Sequence, residues 1–148
     1  ILRRSAKLLG ITTDDGGLDT IAAASRFTPR IANRLLKRTR DFAQVHNHRI
    51  LSAPIAREAL ELLGIDELGL EGTDRNILLA IAQNFNGGPA GLKSIAASIG
   101  EEEDTIEEVY EPYLMRLGFL TRTARGRMVT EVALKHLGVE NKNQHTLI

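Results

Sequence analysis

The chain of 148 residues contains no cysteine. This absence excludes disulfide bonds and thiol chemistry, and it removes the commonest ligands of structural zinc. No stretch approaches the roughly 18 consecutive apolar residues of a membrane span, and the opening ILRRSAKLLG has no long apolar core of the kind found in signal peptides. We therefore expect a cytoplasmic protein with no membrane partner, stabilised by packing alone.

Motifs for catalysis by the chain itself are also missing. The segment GPAGLKS at positions 88–94 is similar to a phosphate loop, but its lysine does not directly follow the last glycine. No nucleophile, histidine and carboxylate occur together in a supporting context. His46 and His48 flank Asn47 without a third ligand, which is typical of a surface loop, so we predict no metal site.

The formal net charge of zero conceals an asymmetry along the chain. Residues 1–70 carry 11 basic and 8 acidic residues, whereas residues 71–148 carry 8 basic and 11 acidic residues. This change in balance favours two modules. The first residue is Ile1, and the chain opens directly inside an amphipathic helical pattern, so we expect that a further portion precedes it.

The segment 25–43, SRFTPRIANRLLKRTRDFA, predicts a helix with a cation in its first turn. Thr28 suits the N-cap, and Pro29 suits the first helical position. Arg30 then lies beside free backbone N–H groups and the positive end of the helix dipole, where a cation is unfavourable without an anion. Phosphate is the anion best suited to such a site. The alternative is that Arg30 points to solvent or pairs with a carboxylate.

The same helix has one apolar and one basic side. Arg26–Arg40 contains six basic residues and no acid, which strengthens the local positive field. The apolar side is predicted to pack and comprises Ile31, Ala32, Leu35, Leu36, Phe42 and Ala43, and the basic side comprises Arg30, Arg34, Lys37 and Arg38.

Further helical patterns surround this segment. One opens the chain and closes at Gly10, a second contains Leu18 and Ile21, and a fourth runs from an N-cap at Ser52 to Gly64. The first module is therefore predicted to be a small helical bundle.

The second module reads as three helices followed by a hairpin. Thr73 is predicted to cap the first helix, Gly100 to end the second, and Thr105 with Glu108 to form a capping box at the third. Two β-prone runs, 119–123 and 127–130, then bracket a tip at positions 124–126. This is the order of a winged helix.

Charge within the second module favours contact with DNA through the hairpin, here called the wing. Seven acids and no base lie between Glu101 and Glu111, so the third helix is a poor partner for phosphates. Arg122, Arg125 and Arg127 lie on and beside the tip, where guanidinium groups can reach the DNA backbone. Such contacts give affinity without sequence specificity. The alternative is a merely solvated loop.

Three long segments are specific enough to compare with a known family, namely SRFTPRIANRLLKRTRDFA, GGPAGLKSIAASIGEEEDTIEEVYEPYL and GFLTRTARGRMVT. They resemble the C-terminal half of the RuvB family, bacterial AAA+ motors for branch migration of Holliday junctions. The resemblance implies a mainly α fold, with a small AAA+ helical lid bundle followed by a winged-helix head with a β-hairpin wing. We place the lid at 1–68, a linker at 69–72, the head at 73–138 and a tail at 139–148.

The resemblance also implies roles for individual residues. Arg30 takes the position of the sensor-2 arginine, and Pro29 lies near the nucleotide, ATP or ADP with Mg²⁺, which a large domain outside this chain mainly holds. Arg122 and Arg127 take the positions of DNA-backbone contacts, with Arg125 as a third. The family usually has glycine in place of Phe27 and proline in place of Ala124.

Implied partners are duplex DNA at Holliday junctions, further subunits in a homohexamer, and a RuvA-type junction-binding protein that contacts the large domain. Two alternatives use the same residues without nucleotide coupling. One is a winged-helix DNA-binding regulator with a helical dimerisation module, which the acidic third helix disfavours. The other is a protein-interaction module whose wing binds an acidic partner.

Overall fold

The chain divides into two units at Gly72 in the computed structural model, which describes residues 1–140. Ile1–Gly72 forms the first unit, and the second begins at Thr73. Of the predicted tail, residues 141–148 lie outside the described residues. No helix within residues 1–140 is long and apolar enough to cross a membrane.

The first unit is the predicted helical bundle. Its helices are α1 (Leu2–Leu8), α2 (Asp15–Ala23), α3 (Pro29–Val45) and α4 (Ala53–Leu62). The apolar positions of the four helices meet in one buried core, to which α3 contributes Ile31, Ala32, Leu35, Leu36 and Ala43 of its predicted apolar side. Phe42, also predicted on that side, does not belong to this core. Members of this core include Leu2, Leu18, Ile21, Leu35, Leu36, Leu51, Ala56 and Leu60.

A close approach between α2 and the start of α4 fixes the bundle. The amide of Leu51 donates to the carbonyl of Thr12 at 2.9 Å, and the Thr13 hydroxyl donates to the carbonyl of Leu51 at 2.8 Å. A Cβ atom on Gly17 would collide with that same Leu51 carbonyl oxygen. Only glycine therefore lets α2 lie this close to the chain entering α4.

The second unit has the predicted order of helices and hairpin, followed by a further helix that was not predicted. Its elements are α5 (Gly72–Asn84), α6 (Leu92–Ile99), α7 (Glu103–Thr105), a π-helical turn (Ile106–Tyr110), α8 (Glu111–Arg116), β1 (Leu120–Thr123), β2 (Gly126–Val129) and α9 (Glu131–Leu137). The strands are antiparallel, with Arg122 opposite Arg127 and Thr123 opposite Gly126. The tip is thus two residues, Ala124 and Arg125, one fewer than predicted.

Ala90 pairs with Arg127 of β2 through an isolated antiparallel bridge, on the side of β2 that does not face β1. Its N–H donates to the carbonyl of Arg127 at 2.9 Å, and the N–H of Arg127 donates back at 2.8 Å. Gly126, at φ +140°, leaves room for this backbone because a Cβ atom there would strike the Ala90 carbonyl. The bridge was not predicted, since a single paired residue leaves no period-2 pattern.

Two predicted caps are wrong. Helix α5 begins at Gly72, so Thr73 lies inside it. Helix α7 begins at Glu103 with Glu102 as N-cap, and Thr105 already has helical angles of φ −64° and ψ −43°. The capping box of Thr105 and Glu108 therefore does not form. Ser52 does occupy the predicted N-cap of α4, but its side chain makes no cap hydrogen bond.

The π-helical turn has a physical cause in Pro112. Proline has no N–H to donate, and its ring clashes with the carbonyl four residues earlier, here that of Glu108. The helix widens by one residue before Pro112, and the N–H of Glu111 therefore donates to the carbonyl of Ile106, five residues back. This wider turn lies immediately before Glu111, whose side chain is buried.

Candidate functional site

Arg30 is exposed at the second position of α3. As predicted, Thr28 is the N-cap, with extended angles of φ −113° and ψ 117°, and Pro29 follows at the first helical position. The Thr28 side chain makes no cap hydrogen bond, however, and its hydroxyl donates to the carbonyl of Arg26 at 3.2 Å. The first turn contains no acid, so this helix end presents positive charge uncompensated by its own side chains.

The predicted basic side of α3 is a solvated surface. Arg30, Arg34, Lys37 and Arg38 are all exposed. Within residues 1–140, none of them takes part in an ion pair. Arg40, by contrast, pairs with its neighbour Asp41 at 2.9 Å. Arg30 is therefore available to an anion from outside the described residues.

A cleft of about 380 Å³ lies beside this helix end. Phe27, Thr28 and Pro29 line one part of it, and Leu18 and Ala22 of α2 line another. Arg26 and Phe27 both have left-handed backbone angles, with φ of 56° and 57°, and Phe27 is 65% exposed. The structure thus places Pro29 in the cleft and Arg30 next to it along α3.

The second candidate site is the wing. Because Arg122 and Arg127 are directly opposite in the β1–β2 register, their side chains project from the same face of the hairpin. Arg125 lies in the two-residue tip and is exposed. The Thr123 hydroxyl donates to the carbonyl of Gly126 at 2.8 Å and accepts the N–H of Arg125 at 3.3 Å, which shapes the tip.

Glu111 binds two of the three wing arginines. Its Oε1 accepts the Nε–H of Arg127 at 2.9 Å and an Nη2–H of Arg122 at 3.1 Å. The Glu111 side chain is 1% exposed and that of Arg127 14%, whereas that of Arg122 is 46% exposed. Arg122 also lies 3.7 Å from Oε1 of Glu107, which is 47% exposed.

The three arginines predicted to form one DNA-binding cluster therefore differ. Arg125 makes no ion pair within residues 1–140, Arg122 is held but half exposed, and Arg127 is engaged with a buried carboxylate. Sequence reasoning assigned Glu111 only to a run of acids unfavourable to DNA. No local pattern distinguishes Glu111 from the other acids of that run, because its partners lie 11 and 16 residues further along the chain.

The described residues 1–140 contain no cluster of three or more metal-ligating side chains. His46 instead stacks on Phe42, with ring centroids 4.1 Å apart, and its Nδ1 lies 2.9 Å from the Phe42 carbonyl.

A helical bundle followed by a winged helix is the order of the lid and head that the resemblance implied for an AAA+ protein. Two family models match in sequence order. "RuvB AAA lid domain" covers residues 1–66, and "RuvB C-terminal winged helix domain" covers residues 67–138. The chain belongs to the RuvB family.

Individual relatives agree with this assignment. A Holliday junction branch migration complex subunit RuvB from Dehalococcoides mccartyi is 53% identical over 143 residues, which is 97% of this chain and 41% of that protein. The same-named protein of Trichormus variabilis is 55% identical over 144 residues, 97% of this chain and 39% of that protein. The Thermotoga maritima RuvB Holliday junction branch migration motor superposes with a TM-score of 0.89 at 48% identity, covering 94% of this chain and 47% of the other. The chain thus spans about two fifths of the length of these curated relatives.

Proposed function

We propose that this chain is the lid and head of an ATP-dependent motor that drives branch migration of Holliday junctions in recombination and repair. The observation that carries the proposal is Arg30, an exposed cation at a helix N-terminus with no acid in the first turn and no ion pair within residues 1–140. The names of the relatives support it, and they favour the motor over a regulator or an interaction module without nucleotide coupling.

The residues around Arg30 fit the terminal phosphates of ATP or ADP with Mg²⁺, held mainly by a large domain outside these 148 residues. When bound, the nucleotide supplies the free energy of phosphoryl transfer. Arg30 binds the phosphates with its guanidinium, the first-turn N–H groups of α3 add partial positive charge, and Pro29 contacts the nucleotide from the cleft. The lid then changes its angle to the large domain with the nucleotide state that Arg30 detects. This chain alone should not hydrolyse ATP.

The head binds the DNA backbone through its wing. Arg125 and Arg122 are exposed enough to reach phosphates, whereas Arg127 can take part only at the edge of its ion pair with Glu111. Contacts of this kind hold duplex DNA without reading its sequence. That property suits a motor that must move along any sequence.

The proposed assembly is a cytoplasmic homohexamer on the duplex arms of a Holliday junction. A RuvA-type junction-binding protein contacts it through the large domain rather than through this chain. The family assignment supports these partners.

The decisive test is Arg30→Ala in the full-length protein. We expect ATP turnover and ATP-driven branch migration to fall by at least about ten-fold, because one charged contact to a phosphate is worth about 1.5–3 kcal/mol. Steady-state ATP hydrolysis and strand-exchange assays measure the two activities.

Arg34→Ala is the matched control, since Arg34 lies one turn further along the exposed basic side of α3. It removes the same charge but not the contact at the helix end, so turnover should stay within about two-fold of the wild type. Unchanged turnover in the Arg30 variant would show that the residue does not sense nucleotide.

A further inference from the structure

The wing carries a graded set of ion pairs from its interior to its surface. Glu111 is buried, Arg127 nearly so, and Arg122 and Glu107 are each about half exposed. The inner pair has hydrogen-bonded geometry, with 2.9 Å between Arg127 Nε and Glu111 Oε1. The outer pair is looser, since 3.7 Å separates Arg122 Nη2 from Glu107 Oε1. The buried Arg127–Glu111 pair therefore exchanges partners less readily than the exposed Arg122–Glu107 pair.

The inner part holds the wing in place. Arg122 and Arg127 are cross-strand neighbours of like charge, which by itself destabilises a hairpin. Glu111 reverses that repulsion because its carboxylate accepts hydrogen bonds from both guanidinium groups. A buried charge that loses its partner is costly, so neither Glu111 nor Arg127 gives up this contact readily.

The outer contact has the opposite character. An exposed ion pair beyond hydrogen-bonding distance contributes little, and water and salt screen it further. Arg122 has five N–H donors, and only its Nη2 is used by Glu111. A phosphate oxygen can therefore bond to Arg122 while the Glu111 contact persists, and a hydrogen-bonded phosphate contact is stronger than a 3.7 Å carboxylate contact.

We propose that Glu107 is an exchangeable counter-ion of the wing, displaced from Arg122 when a DNA phosphate binds there. The Glu107 carboxylate lowers DNA affinity by competing with the phosphate for the Arg122 guanidinium. It thereby weakens the grip of the head on each phosphate, a useful property in a site that must release DNA and bind it again. This inference rests on the proposed DNA-binding role of the wing.

The experiment compares Glu107→Gln with Glu108→Gln in the full-length protein. The two residues are adjacent and both exposed, and Glu108 makes no ion pair within residues 1–140. Binding is measured by fluorescence anisotropy on a short DNA duplex over a range of salt concentrations. We expect Glu107→Gln to bind about three-fold more tightly than Glu108→Gln at low salt, with the difference shrinking as salt rises.

Repeating both substitutions in an Arg122→Ala background isolates the exchange, because the advantage of Glu107→Gln should vanish there. Equal affinities of the two glutamine variants, or an advantage that persists without Arg122, would overturn the inference. Failure of the wing model has a different signature: Arg122→Ala and Arg125→Ala would then leave DNA affinity unchanged. If those alanine variants bind DNA more weakly but the two glutamine variants bind it equally, the wing does bind DNA and only the exchange of Glu107 is rejected.

Discussion

Two consecutive residues with left-handed backbone angles, Arg26 and Phe27, turn the chain into α3. That conformation costs a residue with a side chain about 1–2 kcal/mol, and glycine avoids most of the cost. The family resemblance leads one to expect glycine at position 27, and the backbone angle gives the reason. Phe27 is 65% exposed, so burial of its ring offsets little of this strain.

Phe27→Gly should therefore stabilise the first unit by about 1 kcal/mol. Hydrogen exchange of the α2 and α3 amides measures the effect locally, which suits a chain of two units. Asn47→Gly is the control, since Asn47 has a similar φ of 58° but asparagine tolerates that region better. A gain no larger for Phe27→Gly than for Asn47→Gly would argue against strain at position 27.

Residue identity was enough to predict the start of α3. Thr28, Pro29 and Arg30 occupy the predicted helix positions, because a cap and a first-turn proline are local signals. The partner of Arg127 was beyond prediction, because Glu111 lies 16 residues earlier and meets it only through the folded hairpin. Long-range ion pairs leave no spacing rule in a sequence, unlike pairs within one helix.

At the scale of elements, the helix order and the hairpin were predictable from apolar periodicity and turn residues. The sequence predicts a regular third helix that begins at a capping box. The structure instead has a π-helical turn at Ile106–Tyr110, where Pro112 changes the backbone hydrogen bonding. That turn has a consequence for the wing, since it immediately precedes Glu111, the residue that binds Arg122 and Arg127.

Arg127→Ala should consequently destabilise the second unit by about 3 kcal/mol, because the only partner left to Glu111 within residues 1–140 would be the half-exposed Arg122. Arg125→Ala removes an equal charge from the exposed tip and should change stability by less than about 0.5 kcal/mol. Hydrogen exchange of the β1 and β2 amides separates the two variants. Equal protection in both would mean that the Glu111 contact does not anchor the wing.

On the scale of the whole molecule, zero net charge is compatible with two surfaces that expose arginines. The first unit exposes the basic side of α3, and the second exposes arginines at its wing beside an acidic helix. Composition alone indicated the asymmetry between the halves. Within residues 1–140, Arg125 makes no ion pair whereas the largely buried Arg127 binds Glu111, and this difference required the folded register of β1 and β2.

Salt dependence shows how many of these charges DNA neutralises. Each phosphate contact contributes about 0.9 to the slope of log affinity against log salt concentration. Arg122→Ala with Arg125→Ala in the full-length protein should therefore weaken duplex binding equally for unrelated sequences and reduce that slope by about 1.8. Lys135→Ala removes an exposed base of α9 rather than of the wing and should leave the slope unchanged. Sequence-dependent losses, or an unaltered slope in the double variant, would mean that the wing holds DNA by something other than phosphate contacts.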